Sequence, residues 1–515
     1  MNGITKLTLR IIISFLFLLC SSSLLAQEGN EQTSQQPQLA DTRSTQSEVS
    51  ESKGLFAFVN VNVIPMDREI VLPSQTVIVR DGKIVSISAN SEPKVPIDAT
   101  IIDGKDKYLM PGLADMHVHL ARGDEADPIE LVVFLAAGVT TVRNMWGEPQ
   151  HLEWRRQIEA GTLLGPTIYT TGPITDGDPP YWKGSAIVRT PEEAAAEVVA
   201  QKRAGYDAIK VFTNLLPESY YAILDAAKEN DLPVYGHVPV RLGFENVVGR
   251  GQKSFEHMVD FMYALLPGDS PVYARLIEMW TGSSKPNWQA WMLDPRQQAD
   301  RLKIPDLAAK TAAAGVWICP TLVVLRHQAV DADDYKLIQA DAKLRYVSPS
   351  KRQGWDMRAQ FLTTDTLNNP KIMMRGFETA LLAVRALHDA GVRLVAGTDT
   401  PNPFLIPGFS IHEELKCLVD AGLTPYEAIR AATHDAADFV GALDEWGTLA
   451  KGQRADLILV TDNPLEDVSN ISKQIGVMVR GRWFTKQDLD PMLNKVAEKY
   501  SESESESPGP DHGED

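Results

Sequence analysis

Between Leu113 and Asp399 the chain repeats one pattern: a short apolar run, a turn, then a stretch of helical character. The apolar runs are LADMHVH, VTTVRNM, PTIYTTG, YDAIKVF, LPVYGHV, KSFEHMV, GVWICPT and VRLVAGTD, beginning at Leu113, Val139, Pro166, Tyr206, Leu232, Lys253, Gly315 and Val392. Strands that alternate with helices imply parallel βα units. Eight in succession favour closure into a (β/α)8 barrel of the TIM type over an open sheet. The segment from Thr190, TPEEAAAEVVAQKRAG, shows the helical signal well: a threonine cap, proline in the first turn and acids at the positive end of the helix dipole. We place the barrel at residues 110–438 and assign the chain to the α/β class.

Both flanks of the barrel alternate with period two. Residues 54–109 contain FAFVNVNVI and TVIVRDGKIVSI with Asp81-Gly82 as a hairpin turn, and residues 439–486 contain ADLILV and IGVMVRGRWF. Two half-sheets on either side of a long middle region predict a small composite β-sandwich assembled from both ends of the chain. Two connections within the barrel are long, roughly Val259 to Ala314 and Thr321 to Gly391. Such insertions are where barrels carry lids and specificity loops. Trp280, Trp288 and Trp291 fall in the first of them and either line a pocket or pack in a core.

The termini read differently. Lys6 and Arg10 precede an apolar run from Ile11 to Leu19, and Leu-Leu-Ala-Gln follows at Leu24 to Gln27. This is the pattern of a secretory signal peptide over residues 1–26, and the run is shorter than the ~20 residues of a membrane span. Export to the periplasm or the extracellular space is expected, with lipid attachment at Cys20 disfavoured by the large residues before it. Residues 27–53 are too poor in large apolar side chains to repay ordering and read as a linker. Residues 487–515, which include SESESES from Ser501, read as an acidic disordered tail. With Cys20 removed, only Cys319 and Cys417 remain, which is no disulfide framework. A net charge of -18 excludes nucleic acid as a natural partner. The partners left are a small-molecule or short-peptide substrate and, as a homo-oligomer, further copies of the chain, with no stable membrane span.

His117 and His119 end the first predicted strand and, two residues apart, point to one side of it. By itself such a pair serves packing as readily as it binds an ion. His237 and His257 lie near the ends of later strands, and Asp399 ends the eighth. In a barrel these ends converge on the face where active sites are built. Four histidines and a carboxylate form a nitrogen-and-oxygen donor set suited to zinc and its neighbours. Lys210 sits among apolar neighbours in DAIKVF, where an unpaired ammonium is costly. Beside metal cations it should lose its proton, or add carbon dioxide and become a carbamate that bridges two ions; otherwise it snorkels to the rim or meets an acid.

These residues resemble the amidohydrolase superfamily over nearly all of Leu55 to Phe484. The resemblance is carried by MPGLADMHVHL at Met110, AAGVTTVR at Ala136, IKVF at Ile209, GHV at Gly236, EHM at Glu256 and AGTDT at Ala396, and continues through AGLTPYEAIRAAT from Ala421 and GQRADLILVTDNPLEDV from Gly452. Within it the chain looks most like the imidazolonepropionase-related branch that includes Xaa-Pro and Xaa-Arg dipeptidases. That likeness implies two divalent metal ions, zinc by default. His117, His119 and Asp399 would hold one and His237 and His257 the other, with carboxylated Lys210 between them. It further implies hydrolysis of an amide or peptide bond by a metal-bridging hydroxide, with Asp399 as the proton carrier. Imidazolonepropionase itself lacks such a lysine, which argues against that activity. Asn144 departs from the pattern, since relatives often carry an acid there. Arg143, Tyr235 and His327 are candidate substrate contacts, with salt bridges and packing as the competing explanation. The alternatives are hydrolysis of a lactone, carbamate or phosphotriester at the same site, or a binding protein without catalysis.

Overall fold

A computed structural model describes residues 54–89, 95–123, 126–268, 270–280, 294–330, 332–355 and 370–506. The predicted signal peptide and linker lie outside these residues, as do the side chains of Trp280, Trp288 and Trp291.

Strands β1 (Phe56–Val63), β2 (Leu72–Arg80), β3 (Lys83–Ala89), β4 (Thr100–Asp103) and β5 (Tyr108–Pro111) come from the N-terminal flank. The barrel strands proper follow: β6 (Leu113–Val118), β7 (Val139–Asn144), β8 (Thr167–Thr170), β9 (Thr175–Asp176), β10 (Ala186–Ile187), β11 (Ile209–Val211), β12 (Val234–Gly236), β13 (Ser254–Glu256), β14 (Trp317–Cys319) and β15 (Arg393–Leu394). The C-terminal flank returns as β16 (Leu457–Val460), β17 (Gln474–Val479) and β18 (Arg482–Thr485).

The two flanks join into one sheet of order β18-β17-β16-β5-β1-β2-β3, with β4 beside β1. β16 pairs antiparallel with β5 in the register Leu457↔Pro111 to Val460↔Tyr108, so the chain's two ends meet edge to edge. The sheet curls over a shared core in which Phe58 of β1 and Trp483 of β18 lie edge to face, 5.2 Å between ring centres. Curling follows from the alternation read in the sequence, since each strand places one apolar face inward and these faces must cover one another.

All eight expected barrel strands are present, each parallel to its neighbour. The β6-β7-β8 sheet joins the β11–β15 sheet through parallel bridges at Thr171↔Ala208 and Val118↔Thr400, which close the barrel. The third strand is broken rather than straight: β8 ends at Thr170, and β9, after the Gly172-Pro173 interruption, resumes beside β11 at Thr175↔Val211. Proline cannot donate to a ladder, which accounts for the break. The helix Pro191–Ala204 is capped as the sequence predicts, Thr190 Oγ1 accepting from the Glu193 amide at 3.2 Å and Gly205 ending it at φ 93°. The barrel's lower interior is filled by Met116, Tyr235, Trp317 and Val395 and plugged from below by Phe439 and Trp446. Among the described residues no helix is long and apolar enough to cross a membrane.

One expectation is corrected. Much of the segment read as a disordered acidic tail is helix, Lys486–Glu506. Leu489, Leu493 and Val496 recur at helical spacing and are buried in the main core, with Tyr500 partly buried one turn on. The charges between them hide that stripe from a reading of composition. Lys499 also pairs with Asp127.

Glu414, in the helix Ser410–Asp420, is fully buried and accepts from the Val323 amide at 2.7 Å. Burial pushes its carboxyl from the ordinary 4.5 up to about 8. The folded state therefore binds a proton that the unfolded chain has released, so this group costs stability progressively as pH rises from about 4.5 through about 8. Glu414→Gln keeps an acceptor for Val323 and removes the charge. We expect it to flatten the fall of the melting temperature across that window, measured by thermal denaturation at a series of pH values.

Candidate active site

The site is built at the C-terminal ends of the barrel strands. His117 lies in β6, fully buried, and its Nδ1 is 2.8 Å from Oε2 of the equally buried Glu256 at the end of β13. Its Nε2 turns to Asp399, 3.3 Å from Oδ1, and His119 Nε2 lies 2.9 Å from the same oxygen. Asp399 is tied to the first strand by its own amide, which donates to the His117 carbonyl at 2.6 Å. His257 follows β13 and packs 4.6 Å from the His117 ring and 4.9 Å from that of His237. One donor atom each from His117, His257 and Asp399 falls within a 4.8 Å span. The structure thus brings the four histidines and Asp399 together, with His237 at the edge of the group.

Two of these residues sit in backbone conformations that side-chain-bearing residues rarely adopt. His257 has φ 67° and Asp399 φ 61°. Such strain persists where surrounding contacts over-determine it. Here Thr321 Oγ1, 2.7 Å from His257 Nδ1, and Asn402 Nδ2, donating to Asp399 Oδ2 at 2.6 Å, hold the two side chains. At Gly397 a Cβ would lie 2.6 Å from Cys319 Sγ and 2.8 Å from His117 Cβ, so only glycine lets the eighth strand approach the first this closely.

Lys210 is buried in β11, and its Nζ has no hydrogen-bond partner among the described residues. Burial brings the ammonium down to about 8, against the pull of Glu256 and Asp399. Burial, reinforced by Lys210, holds His117 well below its usual range; burial lowers His119 and His257 as well. Neutral imidazoles offer the lone pairs a metal ion needs. Among the described residues His117 Nε2 and His119 Nδ1, like Lys210 Nζ, are buried polar atoms without a hydrogen-bond partner. Such orphans are costly in a finished core, and a divalent ion at the cluster would satisfy His117 Nε2, the nitrogen turned to Asp399. The donor set fits divalent metal ions.

The three candidate substrate contacts each have partners within the chain. Arg143 is buried beneath the cluster: its Nη2 lies 2.7 Å from Glu256 Oε2 and its Nε donates to the Met116 carbonyl at 2.5 Å. Its role is to neutralise the carboxylate that orients His117. Tyr235 belongs to the lower barrel interior, its ring beneath the Arg143 guanidinium at 4.8 Å and against Phe439. His327 lies in the helix Leu322–Gln328, its Nε2 2.7 Å from Glu413 Oε2. Asn144, where relatives often carry an acid, donates to Thr170 Oγ1 and the Trp146 carbonyl and accepts from the Leu120 amide at 3.1 Å. An amide does both where a carboxylate could only accept.

Sequence reasoning missed Glu256, Thr321 and Asn402. Glu256 carried a signal, an acid in an otherwise apolar strand, while the other two are polar residues in loops with no pattern to mark them. Asp115 was missed as well. It is fully buried, accepts from the Thr398 amide and hydroxyl at 2.9 and 2.7 Å, and so fastens β6 to the loop that carries Asp399.

Two clefts flank the cluster. One, about 410 Å³, opens beside His119 and is lined by Arg122, Glu130, Tyr346, Lys351 and Tyr500. The other, about 510 Å³, opens beside His237. A chain of rings spans the distance between them: His119 to Trp146 (6.4 Å), Trp146 to Trp182 (6.1 Å), Trp182 to Tyr181 (4.8 Å), Tyr181 to Phe212 (5.6 Å) and Phe212 to His237 (4.3 Å).

A closed parallel barrel with this cluster at its strand ends and a composite β domain beside it defines a barrel hydrolase of carbon–nitrogen bonds. The chain belongs to the amidohydrolase family, whose sequence profile matches residues 108–484. It is similar to ochratoxinase from Aspergillus niger, 23% identical over 466 residues that cover 79% of this chain and 81% of that protein. Among solved structures it resembles bottromycin amidohydrolase, with TM-score 0.67 and 26% identity over 87% of this chain and 90% of that one. It also shares the fold of a Xaa-Pro dipeptidase with methionine bound in its active site, with TM-score 0.58 and 20% identity over 84% and 100% of the two chains.

Arg143→Met should leave Glu256 buried without its cation and destabilise the fold by about 3–5 kcal/mol. Urea denaturation of metal-depleted wild type and variant measures this; equal midpoints would show that the pair holds nothing.

Proposed function

We propose that the protein is an exported, two-metal amidohydrolase that cleaves an amide or peptide bond in a small substrate. The observation that carries this reading is the convergence of His117, His119, His237, His257 and Asp399 near a buried lysine nitrogen that has no hydrogen-bond partner among the described residues. His117, His119 and Asp399 would hold one ion, and His237 and His257 the other. Lys210, having added carbon dioxide with loss of a proton, would lie between them as a carbamate. Zinc suits such donors. When bound, two divalent ions supply a water of lowered pKa and a Lewis acid for the carbonyl oxygen.

The chain's own residues do the rest. Glu256 fixes the tautomer of His117 by holding Nδ1, so that Nε2 is the nitrogen turned to the site. Asp260, anchored by the Val238 amide, stands 3.6 Å from His237 Nδ1 as a charged neighbour of that ring. Asp399 takes the proton of the attacking water and passes it to the departing amine nitrogen, first as base and then as acid. Asn402 holds one carboxylate oxygen of Asp399 and so keeps the other on the histidine side.

Purified mature protein should contain about two divalent ions per chain by elemental analysis, and intact mass should show the 44 Da carbamate on Lys210 under mild conditions. Lys210→Ala should lose metal and at least about a hundredfold in activity on dipeptides. One ion per chain with an indifferent variant would replace this reading by a mononuclear hydrolase.

Export rests on the Lys6 to Gln27 segment. Expression of the full chain in a Gram-negative host, followed by N-terminal sequencing, should give a periplasmic product starting near Gln27. A product retaining Met1 in the cytoplasm would overturn export.

A further inference from the structure

The cleft beside His237 has more structure than a solvent-filled groove requires. Its wall is apolar, formed by Phe212, Val238, Val240, Leu242, Ala264 and Leu266. The charged groups on its lining each have a partner within the protein. Arg241 donates to the Asn214 carbonyl at 3.0 Å, and Lys303 donates to the Leu266 carbonyl. Asp260 accepts from the Val238 amide at 3.0 Å, and Glu245 pairs with Lys310 at 3.7 Å. The carbonyls that hold Arg241 and Lys303 fix their position without cancelling their charge, so the cleft combines an apolar wall with two cationic groups.

The chain of rings is continuous with this apolar wall. It runs from His119 to His237, both members of the histidine cluster, and Phe212 belongs at once to the ring chain and to the cleft. Trp182, in the middle of the chain, is 46% exposed, which is unusual for so large an apolar side chain. An exposed aromatic surface that abuts a reacting centre marks where apolar ligand surface is buried. A volume of about 510 Å³ accommodates a phenyl or indole ring with its linking atoms.

We propose that this cleft receives a bulky apolar group, aromatic for preference, attached to one side of the scissile bond. The substrates are then amides of aromatic or large aliphatic residues; this rests on the reading of the histidine cluster as an amide-cleaving centre. Burial against Phe212, Val240 and Leu242 supplies the selection, and the ring wall from Trp146 to Phe212 guides the group in. Apolar discrimination of this kind is worth about 10- to 200-fold for a single methylene, and more for a ring.

The test uses metal-loaded holoenzyme and three amides: one with a phenyl group on the acyl side, one with it on the amine side, and one with neither. One of the phenyl-bearing amides should exceed the plain amide in kcat/KM at least about tenfold. Ala264→Trp fills the cleft, and Leu242→Asp adds a charge to its partly exposed wall; each should reduce that ratio at least about tenfold. Calorimetric titration of N-acetyl-L-phenylalanine against N-acetylglycine provides a readout independent of turnover, with preference for the aromatic ligand lost in both variants. A ratio near one in the wild type, or one that survives both variants, overturns the proposal. If no amide is cleaved while the aromatic ligand still binds in a manner both variants abolish, the cleft's ligand class stands and the amide-hydrolysis reading fails.

Discussion

The strand-end face of this barrel depends on how two buried cations, Lys210 and Arg143, are neutralised inside it. An ammonium or guanidinium taken from water without compensation is among the costliest things a core can hold. Arg143 is compensated outright, by Glu256 at 2.7 Å and the Met116 carbonyl. Lys210 is compensated through space by Glu256 and Asp399 and makes no hydrogen bond among the described residues. Glu256 is therefore shared: it anchors Arg143, accepts from Ser254 at 2.5 Å and holds His117. A single carboxylate links the charge balance of the interior to the orientation of a histidine at the reacting centre.

The same economy explains why backbone strain gathers here. His257 and Asp399 both adopt left-handed conformations, and both are pinned by a polar neighbour, Thr321 in one case and Asn402 in the other. β13 ends just before His257, and Asp399 follows β15 after four residues of irregular chain, so a left-handed residue is how each side chain turns over the barrel's mouth. The glycine at Gly397 belongs to the same arrangement, because it allows the eighth strand to lie against His117. Asp115 and Thr398 then lock the first and eighth strands together, and the barrel closes at the place where its functional side chains meet.

Much of the fold was legible because it rests on periodicity. Eight parallel strands and a sheet shared between the chain's ends follow from where apolar residues repeat, and the helix capped by Thr190 follows from local chemistry. The C-terminal helix escaped because Leu489, Leu493 and Val496 are diluted by charged neighbours, and only the core they dock against reveals them as a stripe. Of the site, the histidines, Lys210 and Asp399 were visible because such residues at strand ends stand out from apolar surroundings. The residues that support them were not, since Thr321 and Asn402 resemble any loop threonine or asparagine until their partners are known.

Sequence alone determined the barrel, the composite sheet and the identity of the polar residues gathered at the barrel's mouth, because periodicity and strand-end placement are local properties of a chain. Tertiary structure decided what each polar residue does. Arg143, Tyr235 and His327 are the same residue types whatever they meet, and only the tertiary structure shows their neighbours, Glu256, Phe439 and Glu413. The apolar cleft beside His237 is likewise assembled from segments far apart in the chain, and a contact between distant segments exists only once the barrel has closed.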